Sequence, residues 1–153
     1  MSRPPDDILD FRGSFRAFSN FSSYPVRIYD WTFPHGESAF HAQKYLDTDY
    51  WVKLQGASPK EAKALGRAVP LDIREWERER VDAMKLVVAA KTVQNDMVRT
   101  LLHDTGDAVL VEKNTWHDQF WGDCECPRHA HIVGQNQLGR IWMLQRDYWR
   151  GAT

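Results

Sequence analysis

A chain of 153 residues has the length of one domain and can bury a core without crosslinks. Its formal net charge of -1 gives no overall attraction for a nucleic-acid backbone, so any contact with one must be local. No apolar run reaches about 18 residues and the start, Met1 to Asp10, is polar with two prolines, which argues against a membrane span or a signal peptide and predicts a cytoplasmic protein with no membrane partner.

A polar segment over residues 1–10 is expected to precede one domain over 11–150, because no repeat, low-complexity tract or Pro/Gly/Ser-rich linker divides the chain. Residues 26–29 and 31–33 are rich in branched and aromatic side chains and predict two short strands joined as a hairpin around Asp30. Pro34 and Gly36 break that pattern. The next segment predicts a helix ending near Asp47 to Asp49, on which Glu37, His41 and Lys44 recur at offsets of four and seven residues and so share one face. Ala39, Ala42 and Leu46 lie on the opposite side, suited to packing. The face with an acid, an imidazole and an amine either lines a cleft or is a solvated surface with loose charge pairing.

Ser58-Pro59-Lys60-Glu61 predicts a capped helix start, with serine at the cap, proline in the first turn and Glu61 placed for a capping box; the helix should run to about Arg67. From residue 73 to about 93, Trp76, Ala83, Met84, Val87, Val88 and Ala90 have helical spacing, and Lys91 falls on the same stripe. An inward lysine either snorkels past the core edge or presents its amine to a cleft. Asn95-Asp96 can cap a further helix through Leu102, and residues 108–111 predict a buried strand. Residues 114–122 form a polar and aromatic loop with His117, Asp118, Phe120 and Trp121, and a last helix after Gly134 is marked by Leu138, Ile141, Trp142, Gln145 and Tyr148. The fold class predicted is α+β: compact, mainly helical and single-domain, with a few short strands.

Cys124 and Cys126, the only cysteines, are too close in sequence to staple distant elements. With His129 and His131 they place four potential zinc ligands within eight residues, tighter than the paired spacings of common structural sites, and no metal is assigned. Gly134-Gln135-Asn136-Gln137-Leu138-Gly139 lacks the lysine and hydroxyl residue of a nucleotide-triphosphate loop, although its amides and Asn136 could hold a phosphate at a helix start.

Taken in order, Ser19-Asn20-Phe21, residues 36–44 (GESAFHAQK), residues 61–66 (EAKALG), Ala90-Lys91, Gln94-Asn95, Thr105-Gly106, Asp118-x-x-Trp121-Gly122 and Gly134-x-Asn136-x-Leu138-Gly139 resemble the NADAR family over nearly the whole chain. Arg140, where the family often has lysine, and His35-Gly36 ahead of Glu37 depart from the commoner pattern. The resemblance implies a compact, mainly helical α+β fold and hydrolysis of N-glycosidic bonds without a cofactor. The substrate it implies first is ADP-ribose attached to guanine in DNA or RNA, a modification made by a partner toxin; small phosphorylated pyrimidine intermediates of riboflavin synthesis are the alternative. A non-catalytic ADP-ribose binder is the third alternative. The catalytic candidates are Glu37, Lys44, Lys91 and Asp118: Glu37 to stabilise an oxocarbenium-like carbon, Lys44, which shares its face, as acid or Schiff-base nucleophile with Lys91 as the alternative, Asp118 to hold ribose hydroxyls or orient water. The substrate-binding candidates are Asn20, Phe21, His41, Trp121, Gly122, Gly134 and Asn136, with Trp121 offering a flat surface to a base.

Overall fold

The structure, a computed structural model, describes residues 8–151. The predicted α+β class holds, with helix dominant: the described residues form six α-helices, five of them consecutive, and six strands of two or three residues. The expected polar segment falls largely on residues 1–7, outside the described residues, and its last three residues form a strand. By their contacts the residues group into two compact units, Asn20–Asp96 and the remainder.

Within Asn20–Asp96, the predicted hairpin is present: β2 (Val26–Ile28) pairs antiparallel with β3 (Trp31–Phe33), Val26 opposite Phe33. Its two-residue turn requires positive φ at both positions, which Tyr29 (51°) and Asp30 (64°) supply without a glycine. Packing offsets that strain, because the Tyr29 ring stacks on Trp51 at 5.9 Å while Trp31 and Phe33 meet Trp51 edge-on. The exposed edge of β2 is completed by a side chain: Gln94 Oε1 accepts from Arg27 N (2.7 Å) and its Nε2 donates to Arg27 O (2.8 Å), as a neighbouring strand would.

The helix carrying Glu37, α1 (Gly36–Ala42), is shorter than predicted and leaves Lys44 in the turn beyond it. The reason is the next helix, α2 (Thr48–Gln55), which the spacing did not reveal. Asp47 caps α2 by accepting from Tyr50 N, and α2 then sends Tyr50 Oη to His41 O (2.9 Å) and Trp51 Nε1 to Ala42 O (2.8 Å). Those carbonyls, once engaged, close α1. Ala39 and Ala42 are buried as predicted, but Leu46 is 76% exposed because it sits in the irregular stretch between α1 and α2 rather than on the helix. The Ser58 cap is present, with Oγ accepting from Glu61 N, and starts α3 (Pro59–Ala68). The long helix α4 (Ile73–Gln94) buries Ala83, Met84, Val87, Val88 and Lys91 of the predicted stripe, while Trp76 and Ala90 at its margins are half-buried.

In the other unit, β1 (Ile8–Asp10) runs parallel to β4 (Val109–Val111), which follows α5 (Asp96–Asp104). A short parallel bridge joins β5 (Lys113–Asn114) to β6 (Asp123–Cys124). The last helix, α6 (Gln137–Gly151), buries Leu138, Ile141 and Trp142, with Trp142 Nε1 donating to Phe18 O. Its stripe continues through Arg146 rather than the predicted Tyr148, which is 67% exposed. Arg146 donates to Thr105 Oγ1 and Ala108 O, both at 2.9 Å, and so caps the end of α5 and the approach to β4 from within the core. No described helix is long and apolar enough to cross a membrane.

Replacing Asp47 with alanine removes the cap that separates α1 from α2 and should cost about 1 kcal/mol in urea unfolding; an unchanged midpoint would show that the side-chain bonds of Tyr50 and Trp51 set the boundary alone.

Candidate active site

The start of α1 is fixed from three directions. His35 accepts from Ser38 N through Nδ1 (3.2 Å) while its Nε2 lies 2.9 Å from Ala57 O. A carbonyl can only accept, so Nε2 carries the hydrogen and the imidazole is neutral. Ser38 Oγ donates to Leu54 O, and Glu37 N donates to Asn20 O. Gly36 is required by the close approach of Asn20, whose Oδ1 would lie 2.6 Å from an added Cβ.

This framework sets Glu37 beside His41, with Oε1 2.9 Å from Nε2. The side chains are 12% and 6% exposed, so this face is not the solvated surface that the sequence left open. Burial pushes the imidazole below its ordinary value of 6.5; the hydrogen bond and charge of Glu37 oppose that, and Lys44 and Lys63 add to it. A neutral imidazole donating from Nε2 must leave Nδ1 as a lone pair, and Nδ1 is buried without a hydrogen-bond partner. It faces Gly66 of α3, where a Cβ would sit 2.1 Å away.

Lys44 completes the group from outside the helix. Its Nζ donates to Gly66 O (3.3 Å) and stands 5.4 Å from the centre of the Trp76 ring. Burial lowers the ammonium pKa below its ordinary 10.5, against the attraction of Glu37 and with the repulsion of Arg67. Glu37, His41 and Lys44 therefore converge next to α3, and Gly66 is the residue that spacing alone did not single out. The signal was its place at the end of the EAKALG segment.

Lys91 faces inward as predicted but does not snorkel: it is fully buried, donates to Ser22 Oγ at 3.0 Å and stands 5.4 Å from the centre of the Tyr24 ring. The segment before β2 covers it. Asn20 is also buried, its Nδ2 on Met84 Sδ and its Oδ1 without a hydrogen-bond partner, whereas Phe21 is 44% exposed. A cavity of about 580 Å³ between α2 and α3, lined by Val52, Ala57, Glu61 and Leu65 among others, includes none of these candidates.

The other candidates belong to the second unit and form a loop scaffold. Asp118 Oδ1 accepts from Phe120 N and Trp121 N, while Asn114, fully buried, brackets the loop by accepting from Trp116 N and Asp118 N. Trp121 is half-buried, edge-on to Phe120 at 4.8 Å. The amides expected to meet phosphate have protein acceptors: Gly134 N on Asp123 Oδ1, Gln135 N on Gln119 O, and the amides of Asn136, Gln137 and Leu138 on the carbonyls of Gly122, Phe120 and Trp121. Asn136 accepts from Glu112 N and donates to Leu110 O, tying α6 to the end of β4. Gly122 and Gly134 are sites of close backbone approach, an added Cβ meeting Glu112 O or Gly122 O at 2.2 Å.

The NADAR domain matches residues 10–150. This chain belongs to the NADAR family. It is 34% identical to the Escherichia coli N-glycosidase YbiA over 93% of this chain and 88% of that one, and 33% identical to the Nostoc punctiforme N-glycosidase Npun_R5314 over 87% and 85%. A Vibrio vulnificus riboflavin biosynthesis protein, VVA0006, is 31% identical over 84% of this chain and 34% of its own length. The NMR structure of E. coli YbiA superposes with a TM-score of 0.80, at 33% identity, over 96% of this chain and 87% of that one.

Two outcomes follow for the group around His41. Gly66→Ala drives a methyl group into the His41 ring and should cost about 1–3 kcal/mol in chemical denaturation; wild-type stability would mean that the ring can move away. The lowered pKa of His41 means that the unfolded chain binds the proton more readily, so stability falls as pH drops below 6.5 and levels off below the folded value. Urea midpoints above and below that pH should diverge more for wild type than for His41→Gln, and equal slopes would remove His41 as the source.

Proposed function

We propose that this protein is an N-glycosidase that hydrolyses the bond between C1′ of a ribose and a base nitrogen, with Glu37 and Lys44 as its reacting groups. The observation that carries the proposal is the Glu37–His41 pair: a carboxylate at 12% exposure, one oxygen engaged by an imidazole whose pKa burial lowers, in a chain whose relatives are named N-glycosidases. Oε2 of Glu37 has no protein partner among the described residues and can face the carbon on which positive charge develops.

As the C1′–N bond breaks, the departing nitrogen takes a proton from the Lys44 ammonium. Water adds to C1′, its proton returns to the Lys44 amine, and the products are a free sugar hydroxyl and a protonated base. The lowered pKa of Lys44 supports a second route. Its free amine attacks C1′, its proton leaves with the base, the ring opens to a Schiff base, and water releases the aldehyde. Lys91 is the alternative amine, although it is fully buried.

ADP-ribosylated guanine in DNA or RNA is the substrate put first by the family resemblance. A specific observation favours the second reading, a phosphorylated ribosyl-pyrimidine of riboflavin synthesis: the Vibrio relative bears that pathway's name, and the net charge of -1 adds no general pull on nucleic acid.

Wild type and Glu37→Gln should be incubated with an ADP-ribosylated guanine oligonucleotide and, separately, with the phosphorylated pyrimidine. Release of ADP-ribose, or of ribose 5-phosphate, identifies the substrate, and Glu37→Gln should reduce it by about 100-fold or more. Near wild-type activity in that variant would overturn Glu37; tight ADP-ribose binding with no turnover of either compound would overturn the enzyme in favour of a binder. Borohydride during turnover should trap a covalent adduct that Lys44→Ala abolishes. Persistence of the adduct in Lys44→Ala moves the amine to Lys91.

A further inference from the structure

The loop that carries Asp118 and Trp121 is bounded by groups that neither proposed route uses. The structure does not gather Cys124, Cys126, His129 and His131, the four that lie close in sequence; His131 is exposed and outside the group. It gathers His117, Cys124, Cys126 and His129, whose ligand atoms all lie within 4.8 Å of one another. Cys126 Sγ stands 3.2 Å from Nδ1 of both His117 and His129.

Four tetrahedral zinc ligands, with Zn–S near 2.3 Å and Zn–N near 2.0–2.1 Å, are separated by roughly 3.3–3.8 Å. The group therefore needs a contraction of about 1 Å at its widest to close on one ion. Its chemistry matches too, since two soft sulfurs and two imidazoles form one of the usual structural zinc sets. We propose that His117, Cys124, Cys126 and His129 bind one zinc ion as a closed, structural site.

The surroundings are those of a held ligand set. Cys126 N lies 3.4 Å from Cys124 Sγ, the amide donor that steadies a metal-bound thiolate. Pro127 starts a single turn of tight helix in which His129 N donates to Cys126 O, folding His129 back over the thiols. His117 adopts φ 71°, a left-handed conformation costly for a residue with a Cβ, and it is fixed there because Asn114 Oδ1 takes the amides on either side of it. Asn114 O accepts from Glu125 N as well, so one buried side chain and its backbone register both halves of the set. The cysteines are buried and His117 is exposed, which leaves a path for the ion on the His117 side. With four protein ligands no position remains for water or substrate, so the ion would pin residues 117–129 and, within them, Asp118, Trp121 and Gly122.

The test uses the full chain without a histidine tag. Elemental analysis of protein purified without chelator should find one zinc per chain, retained in His131→Ala and lost in Cys126→Ser. Cobalt(II) added to metal-free protein should give intense tetrahedral visible bands with a sulfur-to-cobalt charge-transfer band. Because Cys124 and Cys126 are the only cysteines, that band can arise nowhere else, and the wild-type spectrum decides the matter even if Cys126→Ser fails to fold. Protein without zinc that gives only weak octahedral cobalt bands, or whose mass shows a Cys124–Cys126 disulfide that blocks cobalt after reduction is attempted, overturns the site.

Discussion

A helix of seven residues cannot sustain itself in water, because too few of its amides and carbonyls find partners inside it. Helix α1 persists because neighbouring groups supply the rest. His35 takes the Ser38 amide, Asn20 takes the Glu37 amide, and Tyr50 and Trp51 give their hydrogens to the last carbonyls. All of these donors and acceptors lie in the same unit, so the position of Glu37 is as firm as the packing of α2 and the segment before β2. The reacting carboxylate of the proposed enzyme is thus mounted on tertiary structure, with helical propensity contributing little.

That dependence explains which features the sequence made legible. The hairpin, α3, α4 and β4 were visible because each is announced locally, by branched and aromatic residues, by Ser58 and Pro59, or by the spacing of Ala83, Met84, Val87, Val88 and Lys91. The end of α1 was not visible, since helical spacing runs on smoothly from Glu37 to Lys44 and only the partners supplied by α2 reveal the stop. Arg146 was missed for a related reason: an arginine reads as surface until Thr105 and the Ala108 carbonyl are seen to satisfy it. In the cysteine-rich loop, sequence proximity favoured His131, but the αL backbone at His117 and the two bonds of Asn114 bring a more distant imidazole to the thiols.

The two candidate lysines show why burial must be weighed together with partners. Lys91 is wholly enclosed and held by Ser22 and Tyr24, which makes it a fixture of the core around α4. Lys44 is half-buried, weakly held by the Gly66 carbonyl, and poised between a carboxylate and an arginine. Partial burial lowers the cost of losing its proton without sealing it away, a balance suited to a group that must both give and regain one. The second unit contributes a differently built surface, in which Asp118 and Asn114 organise loop amides and Asn136 joins a helix to a strand.

The ring cluster on Trp51 has an optical consequence. Trp31 and Trp51 meet at 5.4 Å with planes 82° apart, close enough for their strong ultraviolet transitions to couple, and Tyr29 lies stacked against the same indole. Coupling within such a pair is a source of two-signed exciton bands in circular dichroism, and here it would depend on the hairpin staying docked on α2. The unit containing Glu37 therefore carries its own built-in spectroscopic reporter, and loosening of the frame around the carboxylate can be followed without a label.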